Sequence, residues 1–451
     1  MPRLRLGGRR SAERFQHPTR TLAGGFGAAV LVGTGLLSLP VATESGQRAD
    51  VVDALFTATS AVCVTGLVTV DTSGHWSMFG ELVILALIQA GGLGIMTLAT
   101  LFTVLWSRRL ALRSRLLAQA ETKVLGLHGI RRVVRNIVLF SLAVEGVVAL
   151  ILTVWFARTD DFGQAVYHGA FHAVSAFNNA GFSLNADSLI GYVDDPVVNL
   201  TIAAAVIVGG LGFPVVFELA RSWRRPRTWS VLTRITVTLT AVLLLAGTLV
   251  FTVSERSNPA TFGPLSGSEK LLAGFFHSTM TRTAGFNSVD IAAMRPESLF
   301  ATDLLMFIGG GSAGTAGGIK VTTFGLLAYV IWSEMRGESS VIVGRRRIPA
   351  GNQRQALAIA LLGIGAVAVC TFTLLALTHH SLDLVLFEVV SAFGTVGLSA
   401  GITGDLPPVG VLLLVGLMFV GRVGPLTAAS ALALRERTRR FERPEERTIV
   451  G

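Results

Sequence analysis

Four short segments of this sequence share a pattern that could present backbone carbonyl oxygens to a cation. Each has a phenylalanine, a serine or threonine four positions later, and a glycine six positions after that. The instances are FTATSAVCVTGL at 56–67, FHAVSAFNNAGF at 171–182, FFHSTMTRTAGF at 275–286 and FEVVSAFGTVGL at 387–398. Their glycines recur at intervals of 115, 104 and 112 residues. A repeat of this kind indicates four copies of one structural unit.

Composition indicates that these units lie in a membrane. Hydrophobic residues make up 51% of the chain and charged residues 15%, against about 25% charged residues in an ordinary soluble domain. A spanning helix needs about 20 mainly apolar residues, and eight tracts of that kind occur. They cover residues 21–40, 78–106, 133–156, 197–219, 229–253, 299–332, 355–378 and 409–434.

Positive charge is concentrated in five blocks between or outside the tracts. The blocks hold 30 of the 38 Lys and Arg but 8 of the 28 Asp and Glu. Because basic residues favour the cytoplasmic side of a membrane, we expect the blocks and both termini to be cytoplasmic. This distribution explains the net charge of +10 without a nucleic-acid partner. The blocks are residues 1–20, 107–135, 221–234, 334–354 and 435–451.

Each repeated segment lies between two tracts. The stretch before its glycine is about ten residues, too short to cross a bilayer but long enough for a half-helix. Non-helical backbone at membrane depth is stable only where it lines a water-filled path or is buried in protein. Four such turns around one axis would form a ring of carbonyl oxygens, with the negative end of each short helix directed at the centre.

We therefore predict an all-α polytopic membrane protein with four helix–pore loop–helix repeats around one central ion pore. The four repeats cover residues 21–106, 133–219, 229–333 and 355–434. Cytoplasmic segments connect and flank them: a basic tail at 1–20, loops at 107–132, 220–228 and 334–354, and a tail at 435–451.

Together with the segment GGGSAGTAGGIK at 309–320 and an arginine in the last tract, these repeats identify a resemblance. The sequence resembles the potassium-translocating membrane subunits of the bacterial Trk/Ktr/HKT superfamily and is most similar to the Ktr type. The resemblance implies potassium uptake across the cell membrane of a bacterium, with potassium as substrate, the only metal, and no cofactor in this chain. It also implies a homodimer, membrane lipids as partners, and a cytosolic ring of nucleotide-binding, RCK-type regulatory subunits.

The resemblance further implies which residues form a selectivity filter. None of the four segments matches the TVGYG sequence of tetrameric potassium channels, so cation selectivity is a firmer prediction than strict potassium selectivity. The implied filter residues are Val64, Thr65, Gly66, Asn179, Ala180, Gly181, Thr283, Ala284, Gly285, Thr395, Val396 and Gly397.

The segment 309–320 divides the tract 299–332, and six of its 12 residues are glycine. A phosphate-binding loop requires Gly-Lys-Ser/Thr, whereas Ile319 separates Gly318 from Lys320. A packing motif requires spaced small residues instead of a continuous run. The resemblance implies a mobile gating loop on the pore axis below the filter, and glycines would let such a loop adopt unusual backbone angles and move. The predicted gate comprises Gly309, Gly310, Gly311, Ser312, Gly314, Thr315, Gly317, Gly318, Lys320 and Arg422.

Lys320 and Arg422 are the basic residues that we expect at membrane depth, where charge is costly. Snorkelling to a nearby interface is the alternative for each. Arg422 lies in the middle of its tract, so we favour hydrogen bonds to loop carbonyls or an electrostatic barrier below the filter. Both interpretations stay open for Lys320.

Other polar residues are weaker candidates. His168 and His172 are one helical turn apart, but no third metal ligand is evident, and we expect packing or hydrogen bonding. We expect the carbonyl of Arg282, not its guanidinium, to approach the pore. Cys63 and Cys370 are expected to be buried free thiols. Pairing with arginine or helix capping is expected for four glutamates, Glu81, Glu145, Glu218 and Glu388.

A polytopic membrane enzyme that acts on lipid phosphates is the alternative function. Such an enzyme would need clustered Asp, Glu or His at the cytoplasmic ends of the spans, and those segments hold almost none. We therefore expect no enzymatic activity and no catalytic residue.

Overall fold

The computed structural model describes residues 18–115, 127–344 and 346–434. The predicted C-terminal tail at 435–451 lies outside them, as do residues 1–17 of the N-terminal tail and 116–126 of the first cytoplasmic loop. The described residues are mainly helical, as predicted. Their only strands, β1 (Ile342–Val343) and β2 (Arg346–Arg347), form one antiparallel hairpin.

The helices follow the predicted order of the four repeats. The first repeat contains α1 (Pro18–Leu37), α2 (Val51–Cys63), α3 (Thr72–His75) and α4 (Met78–Arg115). The second contains α5 (Leu127–Phe156), α6 (Phe162–Phe177), α7 (Pro196–Leu211) and α8 (Phe213–Ser222). The third contains α9 (Val231–Glu255), α10 (Gly267–Met280), α11 (Pro296–Phe307) and α12 (Val321–Met335). The fourth contains α13 (Ala350–Leu377), α14 (Leu382–Gly394) and α15 (Pro408–Leu434).

Four helices in the described part of the chain are long and apolar enough to span a bilayer. They are Met78–Thr97, Arg131–Phe156, Val231–Glu255 and Ala350–Leu377. The pair formed by α7 and α8 is a fifth candidate, with a bend of 101°. Shorter apolar helices cover Ala23–Leu37, Val51–Cys63, Val321–Met335 and Pro408–Gly424. All eight predicted tracts thus coincide with helices, but two of the tracts are broken.

The prediction of one uninterrupted tract over 197–219 is wrong. Gly212 separates α7 from α8 with a φ of +90°, a backbone conformation that glycine adopts without strain. Pro214 lies in the first turn of α8, where its missing N–H is harmless, but it cannot continue a preceding helix. The tract 299–332, in contrast, divides at its glycine segment as predicted, between α11 and α12.

The short helices α2, α6, α10 and α14 are re-entrant elements between two longer ones, and they have 13 to 16 residues, somewhat more than predicted. Polar caps start them. Ser266 and Glu269 form a capping box at α10, and Asp50 accepts from Val52 N at α2.

The short helices are packed through aromatic side chains. Phe56, Phe171 and Phe387 of the repeated pattern are fully buried. In the third repeat the fully buried ring belongs to Phe276, and Phe275 is only partly buried.

Candidate functional site

The turn that follows each short helix has the same backbone conformation in all four repeats. Its first and third residues have positive φ, and its middle residue does not. The values are 57° and 92° for Val64 and Gly66, 60° and 72° for Asn179 and Gly181, 72° and 75° for Thr283 and Gly285, and 50° and 98° for Thr395 and Gly397. The shared pattern indicates that the four turns are copies of one backbone structure.

The first residue of each turn is strained, because side chains rarely adopt a left-handed conformation. Val64, Thr283 and Thr395 are β-branched, which makes the conformation more costly. Strain of about 1–3 kcal/mol per residue persists only where surrounding structure enforces it, and it concentrates at functional sites. Its recurrence at one position of four repeats indicates a functional backbone geometry.

The four glycines form a closed ring. A Cβ added to Gly66 would meet the carbonyl oxygen of Ala180, and one added to Gly181 would meet that of Ala284. The same relation joins Gly285 to Val396 O and Gly397 to Thr65 O, which returns to the first repeat. The middle carbonyl of each turn therefore lies beside the glycine of the preceding repeat, and no side chain fits at any of the four glycines.

Each turn begins within three residues of the end of a short helix, so the negative end of that helix lies next to the ring. Val64 and Thr395 are themselves the C-caps of α2 and α14, and their N–H groups bond to the last turn of the helix. Partial negative charge at a helix C-terminus favours a nearby cation. The twelve predicted filter residues thus lie together, and their role as ion ligands stays a prediction.

Serine hydroxyls support two of the turns. Ser60 Oγ accepts from Gly66 N at 3.0 Å, and Ser391 Oγ accepts from Gly397 N at 3.1 Å. In the second repeat, Ser175 Oγ instead donates to Phe182 O at 2.8 Å. The third repeat has Thr279 at this position, and its hydroxyl bonds within its own helix. The conserved spacing of the pattern thus serves different contacts in different repeats.

The predicted gating loop joins α11 to α12, and its two ends are held together. Gly309 N donates to Ile319 O at 2.8 Å, and Val321 N donates to Gly310 O at 3.0 Å. Ser312 and Thr322 share a hydroxyl hydrogen bond of 2.7 Å. The residues between these contacts form a compact, largely buried loop.

Direct contacts place this loop against the ring of turns. Thr315 Oγ1 donates to Asn179 Oδ1 at 2.8 Å, which joins the loop to a predicted filter residue of the second repeat. On the side of the fourth repeat, a Cβ added to Gly317 would overlap the Thr395 hydroxyl. The loop therefore lies next to the predicted filter residues of the second and fourth repeats.

The loop rests on the end of α7. The last carbonyls of a helix have no partner within the helix, and here the loop supplies two amide donors. Gly311 N donates to Gly210 O at 2.7 Å, and Thr315 N donates to Gly209 O at 3.2 Å. A Cβ at Gly212 would meet Ser312 O, so glycine is also required there for close approach.

Three cationic side chains donate to carbonyls of the loop. Arg422 Nη1 donates to Thr315 O, Lys320 Nζ donates to Ala316 O, and Arg282 Nη2 donates to Gly309 O at 3.0 Å. Arg422 and Arg282 are 3% and 6% exposed, and within the described residues neither forms an ion pair. Arg422 thus makes the predicted kind of contact, whereas the guanidinium of Arg282 has a partner that we did not predict.

A second glycine pattern was not predicted from the sequence. Gly91, Gly209 and Gly421 lie on the last long helix of repeats one, two and four. A Cβ at any of them would overlap the carbonyl of the residue six positions after the patterned phenylalanine, namely Val62, Phe177 and Phe393. The surrounding sequences, GGLG at 91–94 and 209–212 and GRVG at 421–424, would have revealed it. When these three segments are aligned, Arg422 occupies the position of Gly92 and Gly210.

The expectation of arginine pairing or helix capping is confirmed for Glu218 and wrong for Glu81, Glu145 and Glu388 within the described residues. Glu81 accepts from Tyr167 at 2.5 Å, Glu145 accepts from Gln89 and Asn178, and Glu388 accepts from Ser399, Thr403 and Ala400 N. Glu218 does cap a helix, because it accepts from Ser230 N and Thr233 Oγ1 at the start of α9. Neutral donors satisfy these carboxylates without burying a second charge.

His172 hydrogen-bonds with Ser183 Oγ at 3.1 Å and His168 O at 2.8 Å, in agreement with a hydrogen-bonding role. No group of three or more His, Cys, Asp or Glu that could hold a metal occurs within the described residues. Cys63 and Cys370 are both free, but only Cys63 is fully buried.

Comparison with known proteins gives consistent matches along the chain. The family model TrkH, described as cation transport protein, matches residues 25–440. The chain is 40% identical over 421 residues to Ktr system potassium uptake protein B of Bacillus subtilis, covering 93% of this chain and 94% of that protein. It is 34% identical over 441 residues to potassium/sodium uptake protein NtpJ of Enterococcus hirae, covering 96% and 97%.

A solved structure has the same fold. The potassium transporter TrkH from Vibrio parahaemolyticus aligns with a TM-score of 0.66 and 21% identity, over 92% of this chain and 85% of that one.

Proposed function

The chain belongs to the TrkH family of cation transport proteins, and we propose that it is the pore-forming membrane subunit of a bacterial potassium uptake system. The relatives described above are potassium or potassium/sodium uptake proteins by name. The family consists of transporters, so the alternative of a membrane enzyme acting on lipid phosphates is not retained.

The observation that carries the proposal is the closed ring of four glycine turns. Thr65, Ala180, Ala284 and Val396 each direct a carbonyl oxygen to the glycine of the neighbouring repeat. A ring of carbonyl oxygens replaces the hydration shell of a cation, which is how potassium filters bind their ion. The negative ends of α2, α6, α10 and α14 add to the attraction for positive charge.

Below the filter, the loop of residues 309–320 would act as the gate. In the described arrangement it contacts filter residues on two sides, through Asn179 and Thr395. Hydrogen bonds from Arg282 and Arg422 to its carbonyls stabilise this seated position, and Lys320 bonds to Ala316 O within the loop. An ion that leaves the filter then meets buried backbone and three nearby positive charges. Release of the loop would open the path.

The remaining proposals concern the setting of the pore. Five basic blocks and an even number of tracts favour cytoplasmic termini. Family membership supports a homodimer, a cytosolic ring of RCK-type regulatory subunits, and no cofactor in this chain. The basic inner segments are available for contact with such a ring or with membrane lipids.

A matched pair of variants tests the filter. Gly397 has a φ of +98° and no room for a Cβ, whereas Gly416 on α15 of the same repeat has no atom within 4 Å of an added Cβ. Gly397→Ser is expected to reduce potassium selectivity over sodium in liposome flux assays, and Gly416→Ser is expected to match the unmodified chain. A folded Gly397→Ser protein with unchanged affinity and selectivity would contradict the filter assignment.

A further inference from the structure

The α8 helix departs sharply from the direction of α7. The 16 residues of α7 span about 24 Å, less than the thickness of a bilayer core, before the bend of 101° at Gly212. Glu218 on α8 accepts from Ser230 N at the start of α9, a helix of 25 residues, so in the proposed topology α8 leads from the end of α7 to the inner membrane surface.

The exposed side of α8 and its connection to α9 combines aromatic and basic side chains. Phe217 is 44% exposed and Trp223 is 65% exposed. Arg224 stacks on the ring of Trp223, 4.8 Å from its centroid. We call the exposed set the basic-aromatic patch: Phe217, Arg221, Trp223, Arg224, Arg225 and Arg227.

No acid of this segment neutralises the patch. Glu218 is the only acidic residue between 209 and 233, and its carboxylate is occupied by Ser230 N at 2.6 Å, Ser230 Oγ at 2.7 Å and Thr233 Oγ1 at 2.6 Å. Within the described residues, no arginine of the patch forms an ion pair. The positive charge of the patch is therefore free to attract an anionic partner.

Topology alone would require basic residues here, but not the other features. The positive-inside rule is satisfied by arginines on any loop, whereas this segment adds a helix bent by 101° from the helix before it and two exposed aromatic rings. Amphipathic helices of that kind bury aromatic residues at the headgroup boundary and bind anionic lipids through Lys and Arg.

We propose that the basic-aromatic patch binds the headgroups of anionic phospholipids in the inner leaflet and thereby holds α8 at the membrane surface. This proposal deepens the proposed transport function and rests on it for its effect on flux. A lipid is favoured over a protein partner because the patch lies at the membrane interface. It also combines arginines with two aromatic rings, Phe217 and Trp223, that can enter the acyl boundary.

Headgroup binding would act on the gate through Gly212. The same α7 terminus that carries α8 provides the carbonyls of Gly209 and Gly210 to which the gating loop bonds. When α8 is held at the membrane surface, the end of α7 to which the loop bonds stays in place. Anionic lipid therefore stabilises the loop in its closed position and lowers basal flux.

Fluorescence quenching tests binding without requiring a conducting pore. The chain and its Trp223→Phe variant are reconstituted in phosphatidylcholine vesicles that contain brominated phosphatidylglycerol or, at the same mole fraction, brominated phosphatidylcholine. The difference between the two proteins reports on Trp223. We expect brominated phosphatidylglycerol to quench Trp223 about fivefold more effectively, and high salt to remove the difference.

Two triple variants then locate the effect. The first combines Arg221→Gln, Arg224→Gln and Arg225→Gln, and it should abolish the preference for phosphatidylglycerol. The control removes the same charge from exposed positions on α5, Arg131→Gln with Arg132→Gln and Arg135→Gln, and should retain it. Equal quenching by both lipids in the unmodified chain, or an unchanged preference in the first triple variant, would overturn the lipid site.

Flux separates the lipid site from the gate. Phosphatidylglycerol should lower basal potassium flux by about threefold in the unmodified chain and the α5 control, but not in the α8 triple variant. Flux that ignores lipid charge despite preferential quenching would overturn the coupling and leave the binding site intact. Absence of any potassium flux would instead count against the proposed transport function.

Discussion

The guanidinium of Arg282, directly before the third filter turn, donates a hydrogen bond of 3.0 Å to the carbonyl of Gly309, the first residue of the gating loop. Arg282 is 6% exposed, and its Nε and Nη1 atoms have no partner in the structure. A buried cation with a single carbonyl acceptor is costly unless that contact is maintained. Arg282 therefore joins the proposed filter to the proposed gate within one repeat.

This contact predicts a gating phenotype for Arg282. Replacement by Met keeps much of the side-chain volume but removes the donor, so the loop should leave its seated position more often. Because a hydrogen bond to a charged group contributes about 1.5–3 kcal/mol, potassium flux should rise by about tenfold or more. Flux into liposomes, normalised to folded protein, measures the change.

Arg282→Lys is the matched control, because lysine retains a charged donor able to reach Gly309 O. It should behave nearly like the unmodified chain. Equal flux in the Met and Lys variants, with both proteins folded, would show that the hydrogen bond does not stabilise a closed gate.

Arg422 contacts the loop from the fourth repeat, at Thr315 O. Arg422→Ala should raise flux in the same direction as the Arg282 variant, while apparent potassium affinity, which the filter determines, changes little. A concentration series of potassium separates the two quantities. A large loss of affinity with unchanged maximal flux would assign Arg422 to ion binding and not to the gate.

Ser391 and Ser175 bond to their turns in different ways, so removal of each hydroxyl should affect selectivity to a different extent. Ser391→Ala leaves the buried Gly397 amide without its acceptor, which costs about 1–3 kcal/mol. This change should loosen the fourth turn and reduce selectivity for potassium over sodium. Ser175→Ala removes a donor to Phe182 O instead, so its effect on selectivity should be smaller. A larger loss of selectivity in Ser175→Ala than in Ser391→Ala would contradict these roles of the two hydroxyls.

Cysteine labelling tests the proposed topology. Single cysteines at the exposed positions Ser45 and Asp187 should react with an impermeant reagent in intact cells, in a background without Cys63 and Cys370. Cysteines at the exposed positions Thr228 and Arg346 should react only after permeabilisation. Strong external labelling at either of the last two positions would overturn the cytoplasmic assignment of the basic blocks.

The repeats and helical tracts were predictable because they depend on local composition and spacing. Gly66, Gly181, Gly285 and Gly397 each need a left-handed backbone without a Cβ, a requirement that leaves a glycine at a fixed position in every repeat. The interruption at 309–320 was predictable for a similar reason, because consecutive glycines cannot sustain a helix.

Contacts between distant residues were not predictable in this way. Glu145 meets Asn178, 33 positions away, and Arg282 meets Gly309, 27 positions away. Such partners depend on how helices pack, and a charged residue in sequence gives no indication that its partner will be an amide or a backbone carbonyl. The bend at Gly212 is different, since glycine followed two residues later by proline was a visible signal.

Deletion of residues 311–317 is the sharpest test of whether this loop closes the pore. The loop ends are already adjacent, because Gly309 N bonds to Ile319 O and Val321 N bonds to Gly310 O, so Gly310 can be joined to Gly318 with little change elsewhere. Potassium flux per folded protein in liposomes is the measurement, with apparent affinity taken from the same series. We predict a clear increase in flux at nearly unchanged affinity. An unchanged or reduced flux in a well-folded deletion variant would contradict the assignment of this loop as the gate.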